Sequence, residues 1–252
     1  MTPSDQSDLS IAVAAAKAAF AAASAARDGP LRARAKSVSA DLVTDADGRA
    51  EAAAVAVLQT HRPDDAVIGE EGSDHTGATA RRWYVDGIDG TVAFASRIAT
   101  WCSAVVIEDE QGPKATAVYD GTELHTASRG EGAFVNGERS SLRAAPTLQH
   151  AHVALFLRQD RLVKPGVRAV GHRLLDRTGL IRHAGPGSLE LAWVAAGRLD
   201  GWIQPDTDPW DWLPGALLVT EAGGTAVTIQ RETRWHVAGS TALVDELVAL
   251  LT

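Results

Sequence analysis

Acidic residues occur in three separate stretches where a predicted strand ends or a predicted helix begins. The residues are Glu70 and Glu71 after the apolar run AVIG, Asp86 and Asp89 in VDGIDGT, and Asp211 in PWDWLPGA. Carboxylate oxygens are suitable ligands for hard cations, and Mg²⁺ requires about six oxygens in octahedral geometry. The placement of these acids therefore predicts a Mg²⁺ site assembled from distant parts of the chain.

The spacing within VDGIDGT brings two carboxylates to one place. If a strand ends before Asp86, Gly87 lets the chain turn and Asp89 returns to the same side, where both acids share one metal ion or bridge two. Gly90 and Thr91 then begin the next predicted helix. Its unpaired N–H groups and positive dipole end favour a phosphate oxygen, so the stretch indicates metal-assisted phosphate chemistry.

The elements that must position these acids differ between the two halves of the chain. Residues 1–143 are expected to form an α+β half, with helices over Asp8–Arg27 and Asp47–His61 followed by a mostly antiparallel sheet. Residues 144–252 alternate strand-like and helix-like runs, which is typical of a layered α/β half. We expect the first half to hold the metal site, and the second to supply Asp211 and the elements of substrate specificity.

The composition argues against several other classes of protein. The chain has 252 residues with 32 acidic and 24 basic side chains, and no basic run suits a nucleic-acid backbone. Cys102 is the single cysteine, which excludes an internal disulfide and an all-cysteine metal site, and a cytoplasmic location is expected. The alanine-rich N-terminal stretch contains Lys17 and lacks a basic start, so neither a signal peptide nor a membrane span is expected.

Four motifs, taken in order, resemble the inositol monophosphatase family. This family is part of the Mg²⁺-dependent, lithium-sensitive phosphatases that include fructose-1,6-bisphosphatase. The motifs are DLVTDAD at 41–47, IGEEG at 68–72, VDGIDGT at 85–91 and PWDWLPGALLVTEAGG at 209–224. The resemblance extends from about Ala35 to Gly224. It implies an α/β (α+β) fold layered as an αβαβα sandwich, a homodimer, and hydrolysis of a small-molecule phosphate monoester.

The resemblance also implies a role for each acid. Glu70 matches the metal-binding glutamate of the family, and Asp86 matches a carboxylate that bridges metal ions. Ile88 matches a residue that lends its backbone carbonyl. Asp89 and Asp211 match ligands of the second ion. The implied cofactor is therefore Mg²⁺, with two ions or with three when Glu70 helps to hold a further one.

Catalytic and substrate-binding residues follow from the same resemblance. Thr91 and Asp47 resemble the pair that orients and deprotonates the attacking water, and Gly90 and Thr91 match backbone N–H donors to phosphate. The predicted catalytic residues are Asp47, Glu70 and Thr91. The predicted substrate-binding residues are Asp89, Gly90, Thr91, Gln204 and Asp211.

The chain departs from the family pattern in several places. Gly87 stands where the family has proline, which predicts a looser turn, a cost of about 1 kcal/mol and weaker metal binding. Gln204 falls where inositol-specific members carry a glutamate that contacts substrate hydroxyls, which disfavours inositol phosphate. The sequence GPGS at 185–188 differs from the family's usual Gly-Ser/Thr-Ala pattern near the substrate. The segment 158–180 is rich in arginine and histidine, which suits a bulkier or more anionic substrate.

Three functions are compatible with these motifs. The favoured one is hydrolysis of a phosphate monoester such as histidinol phosphate, a sugar or aminocyclitol phosphate, or a nucleoside phosphate. A true inositol-1-phosphatase and a catalytically silent metal-binding relative stay open as alternatives. Among the other acids, Glu71 is expected at the surface or behind the ligands. Asp206 and Asp208 are expected to form solvated turns rather than to contact substrate.

Overall fold

The fold is that of a computed structural model, which describes residues 7–27, 29, 33–35, 42–144 and 146–252. The helices are α1 (Asp8–Arg27), α2 (Asp45–His61), α3 (Thr91–Ala95), α4 (Gln159–Leu162), α5 (Val167–Arg177), α6 (Gly187–Ala195), α7 (Pro209–Glu221) and α8 (Thr241–Ala249), with a 3-10 turn at Leu148–His150. Asp41, in the first motif, lies outside the described residues. The strands are β1 (Ala33–Ala35), β2 (Leu42–Thr44), β3 (Ala66–Gly69), β4 (Arg82–Asp89), β5 (Cys102–Asp109), β6 (Gly112–Tyr119), β7 (Leu124–Ser128), β8 (Gly132–Val135), β9 (Glu138–Arg139), β10 (His152–Ala154), β11 (Leu180–Arg182), β12 (Gly201–Pro205), β13 (Thr225–Gln230) and β14 (Arg234–Gly239).

The larger sheet has the strand order β3-β4-β5-β6-β7-β8-β9 within the described ranges. Strands β3 and β4 are parallel, and each later neighbour pairs antiparallel, which confirms the predicted meander. Because β3 and β4 are parallel, their carboxyl ends lie side by side at one edge of the sheet. This edge is where Glu70 follows β3 and where β4 carries the acids of VDGIDGT.

Helices α1 and α2 cover one face of this sheet. Helix α1 buries Ile11 and a row of alanines at helical spacing, and α2 buries Leu58 on the face that meets α1. Small side chains let the two helices approach each other closely. Phe20 of α1 stacks on Trp101 with ring centroids 4.2 Å apart, and Trp83 of β4 is fully buried in the same core cluster. The bounds predicted for α1 are confirmed, while α2 begins at Asp45, two residues before the predicted start.

Helix α1 is also the one helix in the described part of the chain whose length and composition would suit a membrane span. Core helices of globular proteins meet the same two criteria. In the structure α1 packs along α2 and against strands β5 and β6. The absence of a membrane role and the cytoplasmic location stay predictions.

The second sheet completes a five-layer sandwich. Its strand order is β11-β10-β12-β14-β13, with β10 parallel to both of its neighbours. Helices α6 and α7 fill the space between the two sheets, and α5 and α8 cover the outer face of the second one. The predicted αβαβα architecture is confirmed. The proposed division into residues 1–143 and 144–252 stays a prediction, and α6 and α7 pack against both sheets.

The strand that carries VDGIDGT is longer than predicted. We expected it to end before Asp86, but β4 continues to Asp89, and its pairing with β5 shifts register between these two acids. Residues three apart in a regular strand point to opposite faces, so the irregularity is what lets both acids face one site.

Gly87 does not form a loose turn. It lies inside β4, where a Cβ atom would come within 2.7 Å of the Glu51 backbone nitrogen and 2.9 Å of Ala50 Cβ on α2. Ser103 Oγ also donates a hydrogen bond to the Gly87 carbonyl at 2.6 Å. Close packing between α2 and β4 therefore requires glycine here. Weaker metal binding than in relatives stays a prediction.

Candidate metal centre and active site

Three predicted metal ligands meet where β4 ends and α7 begins. Each of Asp86, Asp89 and Asp211 offers one carboxylate oxygen, and these oxygens lie within 4.8 Å of one another. Asp86 and Asp89 come from β4, and Asp211 comes from the first turn of α7, which starts at Pro209. Asp86 Oδ1 also accepts a hydrogen bond from the Ile88 N–H at 2.9 Å, which fixes the backbone between the two acids of β4.

The charge of this cluster has no basic partner in the described part of the chain. No lysine or arginine there forms an ion pair with Asp86, Asp89 or Asp211. Burial raises the pKa of Asp86 well above its ordinary value, and the nearby carboxylates, Glu70 first among them, raise it further. Burial and the charge of Asp89 likewise raise the pKa of Asp211.

These observations test whether the donors fit the metal that the motifs imply. Buried carboxylates that face one another are unfavourable unless a cation compensates their charge. The donors are all oxygens, which suits a hard divalent ion such as Mg²⁺ rather than a soft metal. Glu70 and Ile88 border the same cavity as the three aspartates. The residues present therefore fit Mg²⁺.

Helix α6 joins the two elements that supply the acids. The backbone N–H of Ser188 donates to Asp89 Oδ2 at 2.7 Å, and its hydroxyl donates to the Asp211 carbonyl at 3.3 Å. Burial raises the pKa of Asp89 to about 6, although hydrogen bonds from Ser188 and Gly187 oppose the rise. The stretch GPGS, which contains Ser188, therefore lies against the acid cluster. The single cysteine, Cys102, is buried in β5 and directs its thiol towards Asp89, with Sγ 4.0 Å from Asp89 Oδ2.

The predicted water-activating pair is also assembled. Thr91 Oγ1 donates to Asp47 Oδ1 at 2.8 Å and lies 3.1 Å from the Ile88 carbonyl. Asp47 Oδ2 in turn accepts hydrogen bonds from Thr44 N at 2.7 Å and Thr44 Oγ1 at 2.5 Å, in a capping box at the start of α2. Because the hydroxyl proton of Thr91 points to a carboxylate, its oxygen lone pairs are available to accept a proton from water.

The acids form the floor of a cavity of about 430 Å³. Gly90 and Thr91, at the start of α3, lie on the same floor. The apolar part of its wall consists of Val92, Ala93, Ile98, Phe156, Ala184, Pro186, Pro205 and Trp210. The polar part consists of Arg158, Arg161, Gln204, Thr207 and Asp208.

The structure therefore brings every predicted site residue to one cavity or to its edge. Asp47 reaches the cavity through its hydrogen bond to Thr91. Of the basic residues in 158–180, Arg158 and Arg161 line the cavity, whereas Lys164 forms an ion pair with Asp206. Asp208 lines the cavity, whereas Asp206 does not and is paired with Lys164 and Arg234. The expectation that neither acid contacts substrate stays a prediction.

Two buried acids near the site were not predicted. Glu51 lies on α2 and accepts hydrogen bonds from the backbone of the loop after Glu70. Glu190 lies on α6 and accepts hydrogen bonds from Arg182 Nε at 3.2 Å and Gly185 N at 3.1 Å. Burial raises the pKa of Glu190 to about 8, although the charge of Arg182 opposes the rise. An acid on the apolar face of a helix was the available signal in both cases.

Comparisons with known proteins agree with this geometry. The sequence profile of the inositol monophosphatase family matches residues 4–249. The inositol-1-monophosphatase of Rhizobium meliloti is 35% identical over 214 residues, which cover 83% of this chain and 80% of the relative. The Nus factor SuhB of Salmonella typhimurium is 33% identical over 189 residues, which cover 73% of this chain and 70% of the relative.

A solved structure also has a fold similar to that of this chain. The crystal structure of the extragenic suppressor protein suhB from Bartonella henselae superposes with a TM-score of 0.87 at 28% identity, and covers 96% of this chain and 97% of that one. The motifs, the fold and the acid cluster lead to the same assignment: the chain belongs to the inositol monophosphatase family and is a phosphoric monoester hydrolase.

Proposed function

We propose that this protein hydrolyses a small phosphate monoester other than inositol 1-phosphate, with two or three Mg²⁺ ions. The observation that carries the proposal is the cluster of Asp86 and Asp89, which are buried, with the half-buried Asp211 on the floor of a cavity. No described basic residue pairs with these carboxylates. Asp86, Asp89 and Asp211 would hold the ions together with Glu70 and the Ile88 carbonyl. The family is Mg²⁺-dependent in general and acts on small phosphate monoesters.

The reaction needs a water molecule aligned with the phosphorus and a group that accepts its proton. When bound, Mg²⁺ neutralises phosphate charge and lowers the pKa of water. Thr91 Oγ1 accepts a hydrogen bond from the attacking water, and Asp47 receives the proton that passes through the Thr91 hydroxyl. The N–H groups of Gly90 and Thr91 orient the phosphate oxygens. Positioning and charge compensation supply most of what phosphoryl transfer requires.

The outer wall of the cavity supports a particular kind of leaving group. Phe156 and Trp210 offer aromatic surface, and Arg158 and Arg161 add guanidinium groups. Gln204 supplies a neutral amide in place of a carboxylate. An alcohol that carries an aromatic ring would stack on such a wall more favourably than a polyhydroxylated cyclitol. We therefore favour histidinol phosphate or a nucleoside phosphate over sugar and aminocyclitol phosphates.

Inositol 1-phosphate is the second candidate substrate, because the Rhizobium meliloti relative is named an inositol-1-monophosphatase. Other relatives are named Nus factors, and the absence of a nucleic-acid role here stays a prediction, supported by the net charge of −8. The homodimer also stays a prediction.

A panel of phosphate monoesters tests the proposal. Phosphate release with Mg²⁺ is measured for histidinol phosphate, nucleoside monophosphates, sugar phosphates and inositol 1-phosphate, with wild-type protein and with Gln204→Glu. We expect a substrate with an aromatic ring, either histidinol phosphate or a nucleoside monophosphate, to have the highest kcat/KM. Gln204→Glu should improve hydrolysis of inositol 1-phosphate. If inositol 1-phosphate is the best wild-type substrate, the second candidate is correct.

A silent metal-binding relative predicts a different result. The wild type would release no phosphate from any substrate of the panel, and Asp89→Asn would change no measured property. Family chemistry instead predicts inhibition by tens of millimolar Li⁺ and by excess Ca²⁺, since both occupy oxygen sites with the wrong charge or size for catalysis. Full activity in Li⁺ would count against this mechanism.

A further inference from the structure

Glu51 is a buried carboxylate beside the metal centre to which the proposed mechanism gives no role. It lies on α2 one turn after Asp47, and its side chain is 0% exposed. Its Oε2 atom accepts a hydrogen bond from Glu71 N at 2.7 Å, and its Oε1 atom accepts one from Ser73 N at 2.8 Å. Both oxygens are therefore committed to the backbone of a single loop.

This loop presents Glu70 to the cavity. On one side, the Glu70 N–H donates to the Val85 carbonyl at 3.2 Å and so extends the pairing of β3 with β4. On the other side, Gly72 N donates to the Gly69 carbonyl at 3.3 Å and closes a turn. The N–H group directly after Glu70 is the first one that Glu51 binds. Glu70 is thus held between the strand pairing and the Glu51 carboxylate.

Two glycines leave the space that Glu51 occupies. A Cβ atom on Gly69 would lie 2.3 Å from Glu51 Cδ, and a Cβ atom on Gly87 would lie 2.7 Å from Glu51 N. Neither glycine has a positive φ, so steric space rather than backbone conformation explains their lack of a side chain. Glu51 therefore lies directly behind both the Glu70 loop and the segment of β4 between Asp86 and Asp89.

We propose that Glu51 is a positioning residue that sets the place of Glu70 relative to Asp86, and thereby the Mg²⁺ affinity of the centre. The inference rests on the proposed function, in which Glu70 binds Mg²⁺. A carboxylate that accepts two N–H groups forms charge-assisted hydrogen bonds, whereas an amide presents its own N–H₂ to one of the donors. Changing a residue that supports a metal ligand typically weakens metal affinity 10- to 100-fold.

The test uses Glu51→Gln in the full-length protein. Two quantities are measured: the Mg²⁺ concentration that gives half-maximal phosphate release, and the dissociation constant of Mg²⁺ from calorimetry on chelator-treated protein. We expect both to rise about 10-fold, with kcat at saturating Mg²⁺ within about twofold of wild type. Glu51→Asp keeps the charge but shortens the side chain, so it should fall between the two proteins.

Asp65→Asn is the matched control. Asp65 is another buried carboxylate bound by hydrogen bonds, but it lies at the opposite end of β3. Its loss should lower the melting temperature and leave both Mg²⁺ measurements unchanged. A purely structural role for Glu51 predicts the same pattern for Glu51→Gln.

The possible outcomes separate the two proposals. Wild-type Mg²⁺ affinity in Glu51→Gln, or in Glu51→Asp if the glutamine variant does not fold, would overturn the role of Glu51 and leave the proposed function intact. A wild-type protein that neither binds Mg²⁺ nor releases phosphate would overturn the proposed function, and the role of Glu51 with it.

Discussion

Buried acids lie at both ends of the parallel strands β3 and β4, but their partners differ. At the amino end, Asp65 accepts hydrogen bonds from Arg81 Nε and Trp83 Nε1, both at 3.0 Å. At the carboxyl end, Asp86 and Asp89 face each other and Asp211. One pair of strands thus carries one acid cluster with basic partners and a second without any in the described part of the chain.

Asp8 of α1 belongs to the cluster at the amino end, where the acids have basic partners. It forms ion pairs with Arg62, Arg81 and Lys114 at 3.2, 2.7 and 2.9 Å. Burial alone would raise the pKa of Asp8, but the hydrogen bonds and charges of Lys114 and Arg81 outweigh it and lower the pKa. At the other end the pKa of Asp86 is raised instead.

The difference separates acids that stabilise the fold from acids that we propose bind metal ions. A buried carboxylate with its cation present favours folding as the chain stands. A buried cluster without a cation opposes folding until an ion binds, and such local conflicts occur mainly at functional sites. The two ends should therefore respond to substitution with opposite signs.

The largest expected effect is that of Asp86→Asn. Loss of this carboxylate should lower phosphate release by about 10³-fold, equivalent to about 4 kcal/mol. In chelator, however, the melting temperature should rise, because one of the mutually repelling buried charges is gone. Thermal unfolding with and without Mg²⁺ checks this. Mg²⁺ should raise the melting temperature of the variant by less than it raises that of the wild type. A chelator-treated variant that melts below wild type would remove the contrast between the two ends.

Asp8→Asn should act in the opposite direction. It leaves Arg62, Arg81 and Lys114 facing one another around a neutral amide, which should lower the free energy of unfolding by about 2 kcal/mol. Asp8 is half-buried and the Lys114 side chain is 42% exposed, so solvent screening keeps the loss below the range for fully buried pairs. Urea denaturation measures the change. Activity per folded molecule should match wild type, since Asp8 is not among the residues that line the cavity.

The sequence indicates which acids meet at the carboxyl end, because each lies in a short motif whose spacing is local. The structure brings the carboxylate oxygens of Asp86, Asp89 and Asp211 within 4.8 Å of one another. Their role as metal ligands stays a prediction. The cluster at the amino end, in which the acids have basic partners, is not predictable in this way. Its members Asp8 and Lys114 are more than a hundred residues apart, and nothing near Asp8 in the sequence marks it as a member of an ion-pair cluster. The bond between Ser188 and Asp89, which joins residues 99 positions apart, has no local signal either.

Gly87 shows the same limit of prediction from sequence, here for a glycine at the carboxyl end. A glycine between two acids has the composition of a turn, and its motif favours one. The structure instead places Gly87 in a strand against α2, a contact that depends on how two distant elements pack. The fold itself was predictable because the order of the motifs carries it. The identity of buried acids and close-packed glycines depends on tertiary neighbours.

Glu190 shares one property with each of the two clusters. It has a basic partner in Arg182, as the acids at the amino end have, but burial still raises its pKa, to about 8. The unfolded chain loses this proton near pH 4.5 and the folded protein keeps it until about pH 8, so stability falls as pH rises between these values, by about 1.4 kcal/mol per unit. Between about pH 6 and 7.5, Glu190→Gln should flatten the stability profile by about 2 kcal/mol relative to wild type. Equal slopes of the two proteins in chelator-treated denaturation series would show that Arg182 keeps Glu190 charged.

The smallest effects compare two glycines at the contact between α2 and β4. Gly87→Ala places a Cβ atom 2.7 Å from the Glu51 nitrogen, and the backbone cannot yield without moving α2 away from the ligand strand. We expect a loss of about 1 to 2 kcal/mol in the free energy of unfolding, together with a higher Mg²⁺ requirement.

Gly48→Ala is the matched control. A Cβ atom there meets no atom of the described residues within 4 Å, and α2 gains a better helix former. It should stabilise the protein by about 0.5 to 1 kcal/mol without changing the Mg²⁺ requirement. If Gly87→Ala is instead neutral in both measurements, β4 has room to move against α2, and the acids of the carboxyl end are held by β5 and Ser188 rather than by the helix.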